Sequence, residues 1–170
     1  MNDNLYALLA ARFPQNPDAP CLILPDGRRV SYGELESRSA QYGNMLIQAG
    51  LKPGDRVAAQ VEKSPEALFL YLGCLRAGGV FLPLNPAYQR HELEFFLGDA
   101  KPGLFVCRPQ QRALADELAA KAGVPNVLEL DDTGRGSLID AATPQPDAFA
   151  TVARTTSDLA AILYTSGTTG

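Results

Sequence analysis

The sequence closes on Thr165-Ser166-Gly167-Thr168-Thr169-Gly170, a run made only of small hydroxyl residues and glycine. Such a run suits phosphate. Gly167 and Gly170 admit backbone angles at which several N–H groups converge into an anion-binding nest. Thr165, Ser166, Thr168 and Thr169 add hydroxyl donors for phosphoryl oxygens. The run is not a Walker-type loop, because GxxxxGK[ST] is absent, and no GxGxxG follows an early strand. On composition alone the same hexapeptide also reads as a solvated turn. Elsewhere the plainer readings prevail. His91 is the only histidine, which removes a histidine metal cluster and a Ser-His-Asp triad. It sits among Gln89, Arg90 and Glu92 and reads as a surface residue at a helix start. Tyr32 and Glu34 belong to a helix cap, and Arg56 and Lys63 read as solvated or salt-bridged. Cys21, Cys74 and Cys107 are odd in number and widely spaced, which fits reduced thiols, with Cys74 as inert packing. No residue is assigned a catalytic or metal-ligating role.

A phosphate loop needs a rigid element to present it, and Leu159–Tyr164 is an apolar run read as a buried strand leading into it. Upstream, Asn4 caps a helix over Leu5 to Arg12. Cys21 to Leu24 and Arg28 to Val30 flank Pro25-Asp26-Gly27 as a hairpin. Ser31 and Glu34 form a capping box for a helix that ends at Gly50. Then strands alternate with helices: strand Arg56 to Val61, helix from Ser64-Pro65-Glu66 to Gly78-Gly79, strand Val80 to Leu84. Helix Gln89 to Leu97, strand Leu104 to Cys107, helix Gln111 to Ala122 and strand Val127 to Leu130 follow. This rhythm predicts an α/β fold, a mostly parallel sheet with flanking helices. Residues 131–158 read as an irregular surface connection with a short helix near Leu138 to Ala142, and 159–170 as strand and phosphate loop.

Hydrophobic residues at 46% and charged residues at 20% fit a globular domain rather than a disordered one. A net charge of −4 without any lysine- or arginine-rich block gives no footprint for nucleic acid or a membrane surface. The longest apolar stretch, Ala67 to Leu75, falls short of the roughly 20 residues that span a bilayer. Met1-Asn-Asp-Asn lacks the cationic start of a signal peptide. The expected location is cytoplasmic.

Tyr164-Thr-Ser-Gly-Thr-Thr-Gly170 resembles the start of the signature loop of the adenylate-forming superfamily, which includes acyl-CoA synthetases, luciferases and peptide-synthetase adenylation domains. Upstream segments agree with this in order. Val30-Ser-Tyr-Gly-Glu-Leu35 resembles the early family segment, and Gly50-Leu-Lys-Pro-Gly-Asp-Arg-Val57 the usual turn and strand. Leu75-Arg-Ala-Gly-Gly-Val-Phe-Leu-Pro-Leu-Asn-Pro86, with Glu92, Leu93 and Asp99, resembles the second core motif. The resemblance covers about 30 to 170 and implies that Thr165 to Gly170 grip the β- and γ-phosphates of ATP carried with Mg2+. It further implies that a carboxylic acid becomes an acyl-adenylate and then a thioester of CoA, the co-substrate. Asp55 to Gln60, Glu62-Lys-Ser64, Arg76 to Asn85 and Gly134-Arg-Gly-Ser-Leu138 are most similar to bacterial malonyl-CoA synthetases, which points to malonate or methylmalonate ahead of fatty or aromatic acids.

On that resemblance residues 1–170 are an incomplete N-terminal AMP-binding domain. The family loop continues with proline, lysine and glycine, and the Thr-Glu that binds MgATP, the ribose aspartate, the acid pocket and the adenylation lysine lie further on. The 170 residues are therefore expected to be inactive alone, and to associate with the remainder of their own enzyme or with themselves through an open sheet edge. Two other readings are a non-catalytic, partner-binding piece and an unrelated α/β nucleotide-binding domain.

Overall fold

The computed structural model describes residues 2–164. Helix α1 (Leu5–Ala10) starts where the Asn4 side-chain oxygen accepts the Tyr6 N–H at 2.9 Å. Strands β1 (Pro20–Ile23) and β2 (Arg29–Ser31) form an antiparallel hairpin across the Pro25-Asp26-Gly27 turn. Ser31 Oγ accepts the Glu34 N–H at 3.1 Å and opens α2 (Tyr32–Gln48). Only this serine half of the expected capping box forms, and Glu34 stays exposed. The returning carboxylate bond appears instead at a later helix, where the Gln89 N–H donates to Glu92 Oε2 at 3.0 Å. The chain leaves α2 through Gly50 at φ +91°, a conformation glycine reaches without a Cβ clash.

Four strands make the main sheet: β3 (Arg56–Gln60), β4 (Val80–Pro83), β5 (Leu104–Cys107) and β6 (Val127–Glu129). All pairings are parallel, in the order β4-β3-β5-β6. Between them run α3 (Pro65–Arg76), α4 (Arg90–Ala100) and α5 (Arg112–Ala122), with α6 (Ser137–Ala142) following β6. The α/β architecture follows from the crossover rule: parallel neighbours cannot be joined by a tight turn, so each connection carries a helix. Ser64 Oγ caps α3 by accepting the Ala67 N–H at 3.1 Å, and Pro65 sits at the first turn, where no N–H is needed.

Because successive side chains of a strand point to opposite faces, each strand feeds two cores. Val57 and Ala59 of β3, with Leu104 and Val106 of β5, pack under α1, α2, α3 and α6, against Leu46, Leu70 and Leu138. Ala58, Phe105 and Cys107 face the other way, against Leu93 and Leu97 of α4 and Leu118 of α5. Helices α2 and α3 approach closely at Gly73, where an added Cβ would stand 2.6 Å from Tyr42 Cβ and 2.9 Å from the Gly43 nitrogen.

Residues 143–158 form neither helix nor strand. They cross the outer side of α2 and α3 as a strap whose carbonyls are held by side chains. Gln41 Nε2 donates to Thr143 O at 3.1 Å, and Asn44 Nδ2 donates to Pro146 O and Ala148 O at 2.9 and 3.0 Å. Arg76 donates to Phe149 O at 2.8 Å, and Asn4 Nδ2 to Val152 O at 2.9 Å. The strap then delivers Leu159–Tyr164 to the outside of β4. The buried strand expected there is corrected: this run makes a single parallel bridge, Ala161 with Phe81. Leu159 and Leu163 are 62% and 71% exposed. The reason is position: the run lies at the rim of the sheet with β4 as its one strand neighbour among the described residues. Only alternate residues pack inward, Ala160 against the first core and Ile162 and Tyr164 against the second.

Candidate functional site

The six residues singled out for phosphate, Thr165, Ser166, Gly167, Thr168, Thr169 and Gly170, lie outside the described residues. What is described is their root. Backbone bonds fasten the run to β4 at Phe81, whose N–H donates to Ala160 O and whose carbonyl accepts from the Ile162 N–H, both at 2.9 Å. Two residues further on, Tyr164 turns its ring onto α4. Its centroid lies 4.4 Å from that of Phe96, tilted by 39°, and 6.3 Å from that of Phe95 in an edge-on arrangement. Phe96 in turn stacks on Tyr88 at 5.0 Å. The Tyr164 hydroxyl donates to Asp99 Oδ2. Burial, reinforced by the Asp99 carboxylate, pushes the Tyr164 hydroxyl up to about 12, against a smaller pull from Arg56. The hydroxyl therefore remains a donor throughout the neutral range.

Arg56 forms no salt bridge among the described residues and is not freely solvated: its Nε donates to Ala100 O at 2.7 Å and satisfies the last turn of α4. His91 is exposed, as read from the sequence. Cys74 is fully buried and burial raises its thiol well above the usual range, while Cys107 is pushed up to about 11. Both thiols are held in the unreactive, protonated form.

In open parallel sheets the usual ligand position is the crevice past the carboxyl ends of the strands where the order reverses. Here that place lies beyond β3 and β5, and holds a crevice of about 170 Å3 lined by Glu62, Arg108, Gln110, Asp131 and Asp132. Arg108 is already engaged, 3.2 Å from Glu62 Oε1 and donating to Pro86 O at 2.8 Å. Three carboxylates around one neutralised guanidinium repel a triphosphate. No group of three or more His, Cys, Asp or Glu able to hold a metal converges among the described residues. Of the places described, the root at Tyr164 is the one next to a donor-rich, carboxylate-free segment.

Sequence reasoning named Asp99 only as part of a motif and gave Arg76 no separate role. The signal for Asp99 was present, since Phe96 and Asp99 are three apart and so share one helix face. Arg76 carried no such signal, because its partners are mainly backbone carbonyls and hydroxyls.

The family described as AMP-binding enzyme matches residues 9–170. The chain belongs to that family. Its fold is that of the N-terminal part of adenylate-forming enzymes. It is 51% identical to ATP-bound MatB from Rhodopseudomonas palustris, with a TM-score of 0.94, over 100% of this chain and 33% of that one. It is 39% identical to chondramide synthase cmdD of Chondromyces crocatus over 93% of this chain and 4% of that protein. To bacitracin synthase 3 of Bacillus licheniformis it is 34% identical, over 96% of this chain and 2% of that protein. The chain thus spans about a third of MatB and a few per cent of the two synthases.

Proposed function

We propose that this chain is the phosphate-gripping part of an acid–CoA ligase that activates a carboxylic acid with MgATP, with malonate or methylmalonate as the acid. The observation that carries this reading is the hydroxyl-glycine segment Thr165–Gly170 on a chain 51% identical to a protein solved with ATP bound. The donor set fits the group: backbone N–H and hydroxyl donors with no carboxylate suit phosphoryl oxygens. Mg2+ enters this proposal as the complex it forms with ATP. In the proposed reaction a carboxylate oxygen of the acid attacks the α-phosphorus. The bond from that phosphorus to the bridging oxygen breaks, and pyrophosphate leaves. Held on the loop, the β- and γ-phosphates are kept in line and their charge is offset. The CoA thiol then takes the acyl group and AMP departs. The substrate preference is supported by the resemblance to malonyl-CoA synthetases and the identity to MatB.

The test is ATP–pyrophosphate exchange by the full-length protein carrying these residues. Exchange that appears with malonate or methylmalonate supports the reading, and exchange driven only by longer or aromatic acids moves it to another acid. A second reading, amino-acid adenylation within a peptide synthetase, is favoured by the 39% and 34% identities to peptide synthases. The same assay with the twenty amino acids decides it.

A further inference from the structure

We infer that Asp99 is a positioning residue for the phosphate-binding loop, acting through the Tyr164 hydroxyl that it accepts. The inference rests on the phosphate-loop reading above. One peptide bond separates Tyr164 from Thr165. Among the described residues, the last backbone bond between this run and the sheet is from Ile162 to Phe81. Beyond it the chain is fixed by the Tyr164 side chain, whose ring lies on Phe96 and whose hydroxyl donates to Asp99 Oδ2.

The support on α4 is itself rigid. Leu93, Leu97 and Ala100 are buried in the second core, and the helix end is held by Arg56 through Ala100 O at 2.7 Å. Ring and hydroxyl contacts define different things. Stacking on Phe96 sets where the ring lies and tolerates sliding, whereas the hydroxyl bond to one carboxylate oxygen stops that sliding. Together they fix Tyr164, the residue that leads into Thr165. A catalytic site loses rate steeply for small displacements of its donors, so a surface pair that contributes little to global stability has a large lever on nucleotide binding.

The experiment uses the full-length protein and four variants: Asp99→Ala, Asp99→Asn, Tyr164→Phe, and Asp99→Ala with Tyr164→Phe. KM for MgATP is read against KM for the acid, together with thermal unfolding and amide hydrogen exchange of residues 162–170. The expected result is a rise in KM for MgATP of roughly fivefold to tenfold for Asp99→Ala and for Tyr164→Phe, from loss of one charge-assisted hydrogen bond. The acid KM and the unfolding temperature stay near those of the parent, and amide exchange in 162–170 accelerates. The double variant is no worse than either single one, because both remove the same bond. Asp99→Asn, which keeps an acceptor oxygen, recovers part of the loss. Unchanged ATP KM and unchanged exchange in a parent that binds ATP overturn this inference alone, as do additive effects in the double variant. A parent with no ATP affinity overturns the phosphate-loop reading and takes this inference with it.

Discussion

At Arg76 a positive charge sits 4% exposed, and none of the salt bridges among the described residues includes it. Its guanidinium donates to Glu36 O at 2.7 Å, Ser39 Oγ at 2.9 Å, Tyr6 Oη at 3.2 Å and Phe149 O at 2.8 Å. It also lies 4.5 Å from the Tyr6 ring centroid, where the ring face attracts a cation. One side chain thereby ties α1, α2 and the strap to α3. Burial lowers its proton affinity, but an arginine keeps its proton at any ordinary pH. Replacing it by alanine leaves Phe149 O without its donor, leaves Glu36 O with the Ser39 hydroxyl, and opens a void. Arg76→Ala should cost about 3 kcal/mol, from the orphaned Phe149 carbonyl and the packing lost with the side chain. Arg76→Lys should recover only a fraction, since an ammonium lacks the flat fork that reaches both carbonyls. Urea unfolding midpoints with unchanged slopes check this. A loss below about 1 kcal/mol would mean that the strap is held without it.

The packing of α2 on α3 distinguishes two glycines that are alike in sequence. Alanine favours a helix over glycine by about 1 kcal/mol, so each Gly→Ala change starts with a gain. At Gly43 the nearest atoms to an added Cβ are at 3.4 Å, ordinary contact, so the gain survives. At Gly73 the same methyl meets backbone and Tyr42 Cβ at 2.9 and 2.6 Å, and the helices must separate. Overpacking of that kind costs about 1–3 kcal/mol. Gly43→Ala should leave the melting temperature level or slightly raised, and Gly73→Ala should lower it. Equal shifts in calorimetry would show that the helices slide freely past each other.

The elements themselves were largely legible, because their signals are local: Ser64 before Pro65, Gly123 after Ala122, Gly50 after α2. The close approach at Gly73, the carbonyls on Arg76 and the placement of Leu159–Tyr164 were not, since each depends on residues distant in sequence. An apolar run reads alike whether it is central or at a rim. As for the candidate site, the sequence offers Thr165–Gly170 as a donor-rich segment and shows Phe96 and Asp99 on one helix face, but not that Tyr164 is their partner, because only folding brings α4 to it.

Among the described residues, several large apolar side chains remain exposed, and five of them belong to α1 and the sheet rim. Leu5, Leu8 and Leu9 of α1 are exposed, as are Leu159 and Leu163 on the sheet rim. Between α1 and the rim runs a groove of about 270 Å3, lined by Leu5, Leu8, Leu75, Gly78, Arg154 and Leu159. A rim with unpaired backbone and protruding leucines favours edge-to-edge association. The 170-residue chain should therefore sediment with a weight-average mass that rises with concentration. Replacing Leu159 and Leu163 together by lysine should hold it near its monomer mass of 18.2 kDa. A parent chain that stays monomeric at high concentration would overturn the expectation.

The first residues of the chain are fastened by some of its last. The Asp3 N–H donates to Arg154 O at 3.0 Å, the Arg154 N–H donates to Asn2 Oδ1 at 3.1 Å, and Asn4 Nδ2 holds Val152 O. During synthesis these partners emerge on the order of ten seconds after α1 does, at ordinary translation speeds. A six-residue segment cannot remain helical by itself for that time. On the ribosome, then, this segment waits unfolded, its Tyr6 ring in water, until the strap arrives and the helix can seat that ring in the core.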